Sequence, residues 1–112
     1  MASASIHDPA IGLKYVANNE SLYRKVLSKF AAQQANAATE IEMAIQSGDE
    51  ELAHRLAHTL KGLSASMGLP ALTESSIALD ADFKAGGNGA SILPVIRTDL
   101  EAALAAVAEY LG

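Results

Sequence analysis

The chain has 112 residues, half of them apolar, with three tyrosines, two phenylalanines and no tryptophan, and a net charge of -5. That length suits one domain around one core. The negative charge without a long basic run argues against nucleic acid as a partner. The lack of cysteine excludes disulfides, a thiolate metal site and a thiol nucleophile. No apolar stretch approaches the roughly 20 residues of a membrane span, and "MASASIHDPA" lacks the layout of a secretory signal. The expectation is a cytoplasmic protein with a flexible tail over residues 1–7 and a single domain over 8–112.

"DPAIGLKYV" (Asp8 to Val16) predicts a short helix, with Asp8 as cap and Pro9 at the first helical position. "ANN" interrupts it, and Asn18 or Asn19 can cap a second helix that starts at Glu20. Apolar Leu22, Val26, Phe30, Ala37, Ile41 and Ile45, with Gln33 between, predict one continuous helix to Gln46, roughly 40 Å long. "SGDEE" is a stop and a start: Gly48 ends that helix, and Asp49 caps a third with Glu50 and Glu51 in its first turn. Gly68 ends the third helix near Met67. Pro70 opens a fourth, which carries Leu72, Ser76, Leu79 and Phe83 on one stripe with Ile77 beside it. "AGGNG" (Ala85 to Gly89) is a loop. A last helix begins near Ser91, takes Pro94 in its first turn, and runs to Leu111 with Val95, Ile96, Leu100, Leu104 and Val107 on its stripe. Neither alternation nor β-branched clusters compete. The short connections predict an all-α protein, an antiparallel up-down four-helix bundle with a short extra helix at the N-terminus.

The third helix contains "AHTLKGLSASMG" (Ala57 to Gly68). On a wheel of about 100° per residue, Leu52, Leu56, Leu60, Leu63 and Met67 fall in one arc and predict the core face. His58 lies about 200° from the centre of that arc, so it is no core histidine. His54, Lys61 and Ala65 share its outward face. Gly62 is one turn beyond His58. Glycine inside a helix costs about 1 kcal/mol relative to alanine, and this chain uses alanine freely. Two readings stay open at this point: a close helix crossing that needs a small residue, or space cleared above the imidazole. Lys61, three residues after His58, reaches the same space and can neutralise an anion there.

With His58, Leu60, Lys61, Gly62 and Gly68 in place, the chain resembles the histidine phosphotransfer (HPt) domain family. The resemblance extends over "GLKYVANNESLYRKVLSKF" and "SGDEELAHRLAH" and on to the last helix, and it implies the same bundle. It also implies a phosphoryl carrier without kinase or ATP-binding activity of its own. His58 would be phosphorylated on Nε2 by a receiver-domain aspartate, Lys61 would balance the charge, and Gly62 would leave room for the group and the docking receiver. The implied partners are the receiver domains of a hybrid histidine kinase and of a response regulator, with Mg²⁺ supplied by the receiver. No cofactor is expected in the chain itself, and neither a P-loop nor a kinase glycine motif is present. A neutral imidazole is a competent nucleophile near neutral pH. Phosphoryl transfer asks chiefly for placement and charge neutralisation.

Some members of the family carry a glutamine on the following helix that contacts the histidine. The matching register gives Asp80, whose role stays open: it repels a phosphoryl group, raises the basicity of the histidine, or faces solvent. Pairing helices across the turn at Gly48 places His58 level with Ala38 and Lys61 with Gln34. The receiver is therefore expected on a patch of His54, Ala65, Gln34 and Ala38, with the chain a monomer. Two other readings compete. One is an adaptor bundle that binds receivers without passing phosphate. The other is a metal site at His54 and His58, spaced i,i+4, which lacks an evident third ligand and has Arg55 where the metalloprotease motif needs Glu.

Overall fold

The computed structural model describes residues 4–112. Among them are six helices and no strand: α1 (Pro9–Lys14), α2 (Glu20–Gln34), α3 (Ala37–Gln46), α4 (Glu50–Met67), α5 (Pro70–Lys84) and α6 (Leu93–Leu111). α2 and α3 together form one arm of a four-helix bundle whose other arms are α4, α5 and α6. Short α1 packs on α4 and α2. No helix of the described residues is long and apolar enough to cross a membrane.

The single helix predicted from Glu20 to Gln46 is therefore two, divided at Ala35 and Asn36. Asparagine has low helix propensity, although the Asn36 side chain makes no cap bond here. Asn36 stands at the N-cap of α3, and its carbonyl accepts from the Glu40 N–H at 2.9 Å. The break frees the two halves to follow different neighbours: α2 lies chiefly on α6, and α3 chiefly on α4.

The remaining boundaries follow local chemistry. Ala17 and Asn18 adopt positive φ (53° and 60°) and turn the chain. Asn19 then caps α2 by accepting from the Leu22 N–H at 3.0 Å. Asp49 caps α4 in the same way, from the Leu52 N–H at 3.1 Å. Asp8 makes no side-chain cap. Its N–H donates instead to the Gly68 carbonyl at 2.7 Å. Gly68 ends α4 at φ +76°, and a Cβ there would collide with the backbone of Asp8. Glycine is the residue that takes this conformation without cost.

Two residues of the segment expected as a tail over 1–7, Ser5 and His7, bond to the helices. Residues 1–3 lie outside the described residues. The Ser5 carbonyl accepts from the Ala71 N–H at 3.0 Å, and His7 Nε2 is 2.8 Å from the Tyr23 hydroxyl. Tyr23 gives its own proton to the Met67 carbonyl at 2.6 Å, so the His7 ring nitrogen must be the donor. Burial pushes the Tyr23 phenol up to about 12 and the His7 imidazole down.

The core holds Tyr23, Leu27, Phe30, Ile41, Leu60, Leu72, Leu79, Ile96, Leu100 and Val107. Two predicted stripes are rotated. α2 buries Tyr23, Leu27 and Phe30, one position on from Leu22 and Val26, and Leu22 is exposed. α4 buries Ala53, Ala57, Leu60, Ser64 and Met67, while Leu52, Leu56 and Leu63 are half-buried. α4 packs between α3 and α5. Small side chains take the line of closest approach and the leucines fill its margin. Ile77 and Val95, also placed on or beside stripes, are exposed.

Candidate functional site

The rotation of α4 redraws the surroundings of His58. About the observed core direction, Gly62 lies roughly 180° away and His58 about 140°, whereas His54 and Lys61 sit near 100° and 80°. His58 and Gly62 thus face solvent, and the His58 side chain is 66 % exposed. The outward placement expected for His54 and Lys61 is corrected. Both turn along the α4–α5 seam, toward one side chain of α5.

That side chain is Asp80, only 4 % exposed. Its Oδ1 accepts from His54 Nε2 at 2.7 Å and lies 3.8 Å from His58 Nδ1. Its Oδ2 accepts from the ammonium groups of Lys61 at 2.8 Å and Lys84 at 3.0 Å. The Lys61 hydrogen bond, with those of Lys84 and His54 behind it, holds the carboxyl well below the usual carboxylate range despite its burial. An ionised carboxylate only accepts, so His54 presents a protonated Nε2. His58 Nδ1, at 3.8 Å, is beyond hydrogen-bond distance of that carboxylate. The seam beneath is fixed by Ser64, whose hydroxyl donates to the Lys61 carbonyl at 3.1 Å and accepts from Thr73 at 3.1 Å.

Gly62 decides between the two readings left open by the sequence. A Cβ built on it meets nothing within 4 Å, so no helix crossing requires the glycine. Gly62, in the middle of α4 and one turn from the exposed His58, leaves open space on that part of the helix surface.

The Hpt domain model matches residues 25–110, most of the chain. The chain belongs to the Hpt domain family. Hpt domains carry phosphoryl groups on histidine in phosphorelays and interact with receiver domains, and these general properties come to this chain with its membership. No curated protein and no solved structure matches it.

Set within an Hpt domain, the other expected site residues divide. Ala65 is partly exposed and lines an apolar groove with Ile11, Tyr15 and Leu69, on the same side of α4 as Gly62. Ala38 is a correction. It is buried in the core cluster with Ala57 and Leu60 and offers no surface to a partner. The small residues of α3 and α4 meet there instead of flanking a shallow patch. Gln34 is half-buried at the end of α2, and no hydrogen bond or ion pair among the described residues joins it to the His58 cluster. The division at Ala35 and Asn36 upsets the register that paired it with Lys61.

Lys84 is absent from the sequence reading, and Asp80 appears there only with its role open. The family register had pointed to Asp80, but its burial was unreadable. Lys84 is visible only as the i+4 neighbour of Asp80 on α5. The donor set does not fit a divalent cation bound by this chain. The nearby carboxylate is taken by two ammonium groups, which repel a metal ion, and no cluster of three metal-ligating residues occurs among the described residues. His7, the third histidine of the chain, is held on Tyr23.

Proposed function

We propose that His58 is the phosphoryl acceptor and donor of this Hpt domain, between the receiver of a hybrid histidine kinase and that of a response regulator. The observation that carries the reading is the open space over Gly62 beside an exposed His58. In the forward step, the lone pair of His58 Nε2 attacks phosphorus of the receiver's aspartyl phosphate. The Nε2–P bond forms as the acyl O–P bond breaks, and that electron pair returns to the aspartate carboxylate. His58 keeps its Nδ1 proton, so the ring gains positive charge on the side that faces Asp80, at 3.8 Å. Lys61 neutralises the phosphoryl oxygens. Gly62 lets the receiver backbone approach, and His54 and Ala65 extend the docking face along α4. Mg²⁺ and the acidic groups that hold it belong to the receiver. The second transfer is the same step in reverse, onto the aspartate of the regulator.

The test is transfer from a panel of ³²P-labelled receiver domains to wild type and to His58→Gln. Acid-labile label on the wild type alone, acquired at rates that differ among receivers, is the expected result. A folded wild type that takes no label from any receiver of its source organism overturns the proposal and leaves a receiver-binding adaptor.

A further inference from the structure

The family signature contains one lysine at the site, Lys61. The structure places a second. Lys84, in the last turn of α5, puts its ammonium on the same Asp80 oxygen that Lys61 occupies, at 3.0 Å against 2.8 Å. The one carboxylate in contact with them offsets one of these charges, and with Arg55 and Glu51 in the adjoining groove the cluster keeps a net positive charge beside His58. Two ammonium groups on one oxygen also repel each other, which makes the arrangement favourable chiefly for an anion still to come. A phosphoryl group brings about -1.5 to -2 charges.

The two lysines are not equally held. Lys61 is 26 % exposed in the α4–α5 seam, whereas Lys84 is 61 % exposed. Lys84 can therefore leave Asp80 without uncovering a buried charge. It lines one groove of about 430 Å³ with His58, His54, Thr59, Glu51 and Arg55. The charged and titratable groups facing Lys84 are thus Asp80 on its own helix and Glu51, His54, Arg55, His58 and Lys61 from α4. The larger groove of about 510 Å³, between α3 and α6, contains none of these residues.

We propose that Lys84 is a second phosphoryl-binding cation of this site, and that Asp80 is the positioning residue that parks Lys84 and Lys61 beside His58 until the phosphoryl group draws them off. The inference rests on His58 as the phosphorylated residue. Before transfer, Asp80 keeps both ammonium groups where charge will develop, so little reorganisation is needed when it does. After transfer, the phosphoryl oxygens compete with Asp80 for them, and the more exposed Lys84 moves first.

The full chain would be phosphorylated with phosphoramidate: Nε2 attacks phosphorus, the Nε2–P bond forms, the P–N bond of the donor breaks and ammonia leaves. The phosphohistidine would then be titrated by ³¹P NMR in wild type, Lys84→Gln, Lys84→Arg, Lys61→Gln and Asp80→Asn, with exposed Lys25→Gln on α2 as a control for net charge. The expected result is an upward shift of the phosphoryl titration midpoint in K84Q and K61Q, restored in K84R and absent in K25Q. Transfer from a receiver to K84Q should be about two- to five-fold slower at low salt, the range set by a partly exposed ion pair, and added salt should close the gap. K84Q that titrates and transfers like wild type overturns the role of Lys84. Folded D80N with unchanged titration and rates overturns the positioning role of Asp80. Wild type that gives no phosphohistidine signal beyond that of His58→Gln overturns the reading of His58, and this inference with it.

Discussion

Replacing Gly62 with alanine should make the protein more stable and a worse phosphoryl carrier. Gly62 lies in the interior of α4 at a negative φ, and an added methyl group meets nothing within 4 Å. The substitution therefore brings no clash and removes the backbone entropy that glycine surrenders on folding. The gain is about 1 kcal/mol, or a rise in Tm of about 4 °C for a domain of this size. The same methyl stands where a docking partner must approach His58. Crowding a close-packed contact by one methyl costs about 1–3 kcal/mol, so transfer should slow by about five-fold or more. Thermal unfolding followed by circular dichroism reads the first effect. Single-turnover transfer between the phosphorylated chain and a receiver reads the second. Gly62→Gln, with a longer side chain of good helix propensity, should deepen the transfer defect while the fold holds. A Gly62→Ala protein that is less stable than wild type would mean that the glycine serves packing. One that is more stable yet transfers at the wild-type rate would mean that the cleared space has no function.

Acid should weaken the fold through Asp80. Its carboxyl titrates lower when folded than when unfolded, so its contribution is present above about pH 4 and lost as the pH falls below that value. Tm against pH should be flatter for Asp80→Asn than for wild type below about pH 4, and parallel acid limbs would refute the assignment. Tyr23→Phe removes the hydroxyl that bonds Met67 and His7 and should cost about 1–3 kcal/mol in urea unfolding, because a buried carbonyl is left unpaired. In the wild type the raised Tyr23 phenol contributes stability below about pH 10 that fades as the pH climbs toward 12, and the variant should lack that alkaline limb. Gly68→Ala forces a side chain into a left-handed position against the backbone of Asp8. It should lower Tm by several degrees, since strain of about 1–2 kcal/mol comes before any clash.

Where one residue type has one physical use, the sequence was readable. Asn19, Asp49, Gly48, Gly68, Pro9 and Pro70 mark helix ends because few other residues can do so, and each stands at or next to an end in the structure. The break at Asn36 was harder. Apolar residues recur at helical spacing on both sides of it, and periodicity cannot tell a straight helix from two that bend toward different neighbours. The α4 wheel failed for a related reason. It weighted leucine over alanine, whereas the line of closest approach in a bundle selects small side chains, so Ala53, Ala57 and Ser64 took the centre.

That rotation explains why the site was only half visible. A histidine, a lysine and a glycine on one helix can be read from spacing alone, because their relation is internal to the helix. Asp80 and Lys84 belong to another helix, and their meaning depends on an angle that the wheel set wrongly. With α4 turned so that leucines define the core, Lys61 and His54 point into solvent and Asp80 has nothing to pair with. With the alanines at the centre, both side chains swing onto the seam with α5 and converge on one buried carboxylate. An acid on its own near a phosphoryl site repels the group. Flanked by two ammonium groups, Asp80 leaves the site with net positive charge and fixes where that charge sits.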